Sequence, residues 1–238
     1  MPILNRIPFG RLLHKKVGTS IPANFNNLKN ITNYKNSYNI ASRYMSGFSF
    51  AGPRTLDEII KKDLIEEKNK AEISDIWMTY HEDKEHVHGA ILKGEEGKMI
   101  LERADKMKFF IQPIFRGETG FFMLLSQFQE PSHFLLAYLE DYKMDPNRAQ
   151  PLMTFSVFND LAESHDLSLV RCDVINKGIE DDEGLKVMKN MIDAYTINAD
   201  YSRVEAFNVK PESFDFDDFI ACLNQKWKNG SDAEVKEG

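Results

Sequence analysis

Gly120-Phe121-Phe122-Met123-Leu124-Leu125-Ser126-Gln127-Phe128 decides how this chain must fold. Aromatic and aliphatic residues fill it and a glycine opens it, so it reads as a strand. A strand sends alternate side chains to opposite faces. Phe121, Met123 and Leu125 share one face, Phe122, Leu124 and Phe128 the other, and both faces are apolar. Antiparallel sheets usually leave one face to water; this one needs cover on both, from helices or from a partner. His133–Leu139 behaves alike, and Phe109–Phe115 and Leu152–Val157 complete the run of strands. Nine of the 17 phenylalanines lie between Phe109 and Phe158, which marks this as the apolar centre of the chain.

Helical signals flank that centre. Thr55-Leu56-Asp57-Glu58 is a capping box, predicting a helix to about Lys68 with Leu56, Ile59, Ile60 and Leu64 as its apolar stripe. Asn69 with Glu72 repeats the signal, and Ile73, Ile76, Trp77 and Tyr80 follow on one helical face. Val87–Leu92 reads as a strand and Gly94–Met107 as a helix. Beyond the centre come a short helical turn near Asn159–Glu163, a strand over Leu167–Val174 and a helix over Asp182–Tyr195. A last strand is predicted over Arg203–Val209 and a last helix over Asp215–Trp227. With no internal repeat and no linker, the expectation is a single α+β domain over 55–228. Its mostly antiparallel central β-sheet is flanked by α-helices, and a polar, disordered tail follows over 229–238.

Charge divides the chain sharply. The first 54 residues hold eight Lys and Arg and no acid, while all 37 acids follow from Asp57 onward. An acid-free leader rich in Arg, Ser and Asn is the composition of a mitochondrial transit peptide, expected over 1–45, with Arg43-Tyr44-Met45-Ser46 resembling a processing site. The acidic body lacks the basic footprint that nucleic acid requires. No stretch approaches the roughly 18 apolar residues of a membrane span. Cys172 and Cys222 form no CxxC and read as core thiols.

Reaction chemistry is hard to find. His81 and His86 are five residues apart, about 140° round a helix, where a zinc-protease helix needs four. Gly89 and Gly94 have phosphate-loop spacing, but Glu95 and Glu96 follow where a phosphate loop needs Lys and Ser or Thr. No nucleophile elbow or dinucleotide fingerprint occurs. The residues therefore predict no catalytic group, no cofactor and no metal.

Four segments resemble the mitochondrial ATP synthase F(1) sector assembly factor 1 family. They are Thr55-Leu56-Asp57-Glu58-Ile59 with Ile73-x-x-Ile76-Trp77-x-x-Tyr80; Arg103-Ala104 with Phe109-x-x-x-Pro113; Gly120-Phe121-Phe122 through Gln127-Phe128 to His133-Phe134; and Glu205-Ala206-Phe207-Asn208-x-x-Pro211-x-x-Phe214-Asp215-Phe216. Leu169-x-Arg171 also fits. Met107-Lys108 departs from the family's usual Cys-Pro, and Leu135-Leu136-Ala137 is more apolar than usual. The resemblance implies a mitochondrial matrix chaperone that binds unassembled ATP synthase F(1) beta subunit, prevents its aggregation and promotes assembly of the alpha/beta hexamer. Candidate partner-binding residues are Phe121, Phe122, Phe128 and Phe134, on the premise that one strand face is left partly uncovered; the rival expectation is that all four are core. The alternative function is a matrix enzyme or small-molecule binder, which needs a pocket with convergent polar groups.

Overall fold

A computed structural model describes residues 53–117 and 120–234, with side chains described to residue 229. The leader, its processing site and residues 235–238 lie outside the described residues. Helices α1 (Leu56–Ile59), α2 (Lys62–Ile65) and α3 (Lys70–Glu82) precede β1 (Val87–Leu92) and α4 (Gly94–Lys106). Strands β2 (Phe109–Arg116), β3 (Gly120–Gln129) and β4 (His133–Tyr138) follow as a meander, then α5 (Leu139–Met144), β5 (Pro151–Phe158) and β6 (Ser168–Val174). Helices α6 (Asp181–Thr196), α7 (Asn198–Val209) and α8 (Phe216–Glu234) end the described chain. The six strands form one antiparallel sheet in the order β1-β6-β5-β4-β3-β2.

Both sheet faces are covered, as the two-sided apolarity of β3 requires. On one face Gln112 reaches Met191 of α6, Phe134 stacks near Tyr195 of α6 and Phe110 meets Phe207 of α7. Helix α6 packs against β1, β2 and β6, so the sheet curls around it and brings its two edges toward one helix. On the other face a smaller core gathers Leu56, Ile65, Ile73, Trp77, Phe158, Leu161, Leu167 and Leu169. Trp77 is fully buried there, and its indole N–H donates to the Val170 carbonyl at 3.2 Å. Helix α4 lies unusually close to the sheet: a Cβ on Gly97 would fall 2.1 Å from Ser168 Oγ. Gly89 and Gly94, which matched a phosphate loop by spacing, also serve packing: a Cβ would fall 2.7 Å from the His81 ring and 2.6 Å from the Ala162 carbonyl oxygen.

Three sequence expectations are corrected. The helix predicted from Thr55 to Lys68 breaks at Ile60, whose backbone is extended (φ −141°, ψ 144°). That break resets the helical phase, so Ile65 enters the core while Leu64, expected on the stripe, is 62 % exposed. The last strand does not exist: Arg203–Val209 belongs to α7. Its alternating apolar residues mimic a strand, but Val204 and Phe207, three apart, both turn inward on a helix that begins upstream at Asn198. The final helix continues past Gly230 to Glu234, where a polar tail was expected.

Candidate functional site

The four candidate phenylalanines do not share one surface. Phe134 is fully buried and Phe128 nearly so; their rings lie 5.0 Å apart, and Phe134 also meets Phe155 and Tyr195 beneath α6. Both are core side chains, closed to any partner in the folded state, so that half of the candidate set is corrected. Phe122 faces the same side but sits at the sheet's end, half-buried between Tyr138 and the Arg116 guanidinium. Phe121 points to the opposite side, beside its cross-strand neighbour Phe115 at 5.8 Å and Phe216 at 6.5 Å.

What remains accessible is an aromatic tip at the β2–β3 turn. Phe115, Phe121 and Phe122 are all half-buried there, beside the left-handed Gly117 (φ 62°). The sequence pattern places these rings at the strand ends, where alternation runs out of cover. Arg116 fixes the tip. Its Nε and Nη2 donate to the two carboxylate oxygens of Glu183, each at 2.7 Å, and Nη2 also donates to the Gly178 carbonyl. This bidentate pair joins β2 to the first turn of α6. Hydrogen bonding to Glu183 raises the Arg116 pKa, so the guanidinium remains charged beneath Phe122. Arg116 was not singled out from sequence; its signal was a lone charge ending an otherwise apolar strand.

A polar cluster holds α3 to the sheet. His81 Nδ1 contacts the Trp77 carbonyl at 2.7 Å, which only an N–H can satisfy, so Nε2 is the bare acceptor that receives Arg171 Nη1 at 3.2 Å. Arg171 is itself buried and forks onto Asp173. Burial, against the opposing pull of the Trp77 carbonyl, pushes the His81 pKa down to about 4. His81 is thus a neutral structural group. His86 and His88 sit apart from it, beside Asp181: the His86 amide donates to Asp181 Oδ1 at 2.6 Å, and His88 Nε2 lies 3.4 Å from the same oxygen without a hydrogen-bond angle. The three histidines do not converge, and among the described residues no group of His, Cys, Asp and Glu has the geometry to hold a metal ion. No helix among them is long and apolar enough to cross a membrane.

Between β2 and helices α6–α8 lies a cavity of about 10 Å³, room for about one water. Gln112 Oε1 and Asn190 Nδ2, both buried and without a protein partner, line it. Substrate pockets are roughly thirtyfold larger or more. Burial raises the pKa of the Cys172 thiol, which lies in the core and not in a cleft.

The surviving surface is an aromatic tip over a helix terminus, and comparison with known sequences gives it a context. The profile of the ATP11 protein family matches residues 19–220, most of the chain. The chain belongs to the ATP11 protein family. Among its relatives, the zebrafish (Danio rerio) protein "ATP synthase mitochondrial F1 complex assembly factor 1" is 24 % identical over 179 residues, 74 % of this chain and 58 % of that protein. The human (Homo sapiens) protein of the same name is 24 % identical over 189 residues, 79 % of this chain and 56 % of its own length. The chain therefore spans a little over half the length of these relatives.

Proposed function

We propose that this protein is a mitochondrial matrix chaperone of ATP synthase assembly. It binds unassembled F(1) beta subunit, keeps it from aggregating and passes it on to the alpha subunit. Family membership and the names of the zebrafish and human relatives support a role in F1 assembly. The acid-free leader supports a mitochondrial address. The observation that carries the docking reading is the half-buried aromatic tip, with Phe122 over the Arg116–Glu183 pair and Phe115 and Phe121 on the opposite face.

A ring subunit made alone exposes an apolar interface that its neighbour later covers, and such a patch aggregates. Aromatic side chains beside an arginine are the usual anchors of a protein interface. The chain carries a net charge of −7, which keeps a complex with an aggregation-prone subunit soluble. Three rings make a small contact, and a small contact suits a partner that must be released when the alpha subunit competes.

The test mixes the full chain with isolated beta subunit and, separately, with alpha subunit, and follows each by size-exclusion chromatography. A stoichiometric complex with beta, dissociated by added alpha, is expected. Binding to neither subunit overturns the proposal. Binding to alpha alone keeps the assembly role and replaces the client.

A further inference from the structure

The two edges of the sheet are treated differently. On β2 the outward-facing backbone groups belong to Phe109, Ile111, Pro113 and Phe115, because Lys108, Phe110 and their even-numbered successors bond to β3. This edge is closed. The Asn208 side chain donates to the Phe109 carbonyl at 2.6 Å and accepts from the Phe109 amide at 3.2 Å, as a neighbouring strand would. Pro113 offers no N–H at all, the usual way to blunt an edge. Helices α7 and α8 pack alongside.

The β1 edge also has helices packed against its strand, α3 and α6, but no side chain among the described residues caps its outward backbone groups and no proline interrupts it. His86 pairs with Val174, so His88, Ala90 and Leu92 bond inward to β6, and Val87, Gly89 and Ile91 turn their N–H and C=O groups outward. Those groups have no hydrogen-bond partner among the described residues. No proline and no lysine lies within Val87–Leu92, and each of its six residues is half-buried. Such an edge is a template for one more strand, and only an extended backbone matches its alternating donors and acceptors.

The first turn of α6 links this edge to the aromatic tip. Because the sheet curls around α6, Asp181 holds the start of β1 through the His86 amide, while Glu183, two residues on, holds Arg116 at the end of β2. Residues two apart on a helix point about 200° apart, so the start of β1 and the end of β2 meet opposite sides of the first turn of α6. A client segment that uses both surfaces passes over that turn. Exposed acids stand at the start of that edge, Asp83, Glu85, Asp181 and Asp182.

We propose that β1 is a docking edge for an extended segment of the client subunit, apolar in its middle and basic at its flank, added as a seventh strand antiparallel or parallel to β1. This rests on the chaperone function proposed above. It assigns the strength of client binding to main-chain hydrogen bonds at Val87, Gly89 and Ile91, with the aromatic tip giving selectivity. Main-chain recognition suits a partly folded client, because every extended segment offers the same backbone. It also gives a route to release: the segment leaves when it finds its own place in the assembled subunit.

Residue-resolved amide hydrogen exchange on the full chain is the test, with isolated beta subunit as the probe. In the free protein the Val87, Gly89 and Ile91 amides are expected to exchange fast, and the His88 and Ala90 amides slowly. In the complex the first three should slow by at least about tenfold, equivalent to about 1.4 kcal/mol of protection. The second arm is Ile91→Pro, which deletes an outward N–H and leaves the β6 ladder whole. Its melting temperature checks the fold, and its affinity for beta should fall about tenfold or more. A complex that forms while these amides still exchange freely overturns the docking edge and leaves the chaperone function standing. Amides already slow in the free protein overturn it too, showing the edge taken by the chain itself or by a second copy. Failure to bind beta at all defeats the proposed client, and the docking edge with it.

Discussion

Lowering the pH from 7 to 5 should cost this protein about 2 kcal/mol of stability through His81 alone. The imidazole is buried, donates from Nδ1 to the Trp77 carbonyl and accepts from Arg171 at Nε2. A second proton has nowhere to go except opposite a guanidinium. The folded-state pKa is about 4, against 6.5 for the free side chain. The folded pKa is depressed, so the unfolded chain binds the proton first. The stabilisation is therefore complete above pH 6.5, declines as pH falls toward 4 and is gone below it. The full shift corresponds to about 3 kcal/mol, of which about 2 appears between pH 7 and pH 5. Urea unfolding at both pH values, for the wild type and for His81→Gln, isolates this contribution, because other titrating groups act equally in both proteins. The wild type should lose about 2 kcal/mol more than the variant on acidification. Equal losses would show that His81 is not held neutral and would refute the tautomer assigned from the Trp77 and Arg171 contacts.

Other substitutions separate core from surface. Trp77→Ala removes a fully buried indole and its hydrogen bond to the Val170 carbonyl, so it should cost about 3–5 kcal/mol, or a melting point lower by roughly 6–20 °C. Phe134→Ala should cost about 3–5 kcal/mol by calorimetry or urea unfolding, whereas Phe121→Ala and Phe122→Ala should cost less and instead weaken binding of beta subunit. Asn208→Ala uncovers both edge groups of Phe109 and should destabilise by about 1–3 kcal/mol, with faster exchange of the Phe109 amide. Gly97→Ala drives a methyl group into Ser168 and Asn159 and should destabilise more than the same change at an open helical position, where Gly→Ala stabilises by about 1 kcal/mol.

Most of the sheet was legible because its information is local. Period-two apolar runs gave all six strands within a residue or two, and two-sided apolarity in β3 required helices above and below it. The failures came where local pattern and tertiary packing disagree. Arg203–Val209 alternates like a strand, yet only a helix carries both Val204 and Phe207 into the core. Leu56–Leu64 is periodic like a helix, yet the second core needs Ile65, and the backbone opens at Ile60 to supply it. The burial of the four candidate phenylalanines was half legible for the same reason. Composition placed the phenylalanines on the central strands but could not say which lie under α6. Phe128 and Phe134 do, and Phe121 and Phe122 do not. The job of Asn208 depends on its meeting Phe109, 99 positions away, which no short window reveals. The pairing of Arg116 with Glu183 spans 67 positions and was equally hidden.

Chaperoning of an F1 subunit is tested most directly by light scattering when denatured beta subunit is diluted into buffer with the full chain present. Aggregation should fall in proportion to added chain and stop near one chain per beta subunit. Phe121→Ala and Phe122→Ala should protect less at unchanged melting temperature, and Phe134→Ala should lose protection only as it loses stability. Scattering that is unchanged by a stoichiometric amount of folded protein would contradict the proposed function.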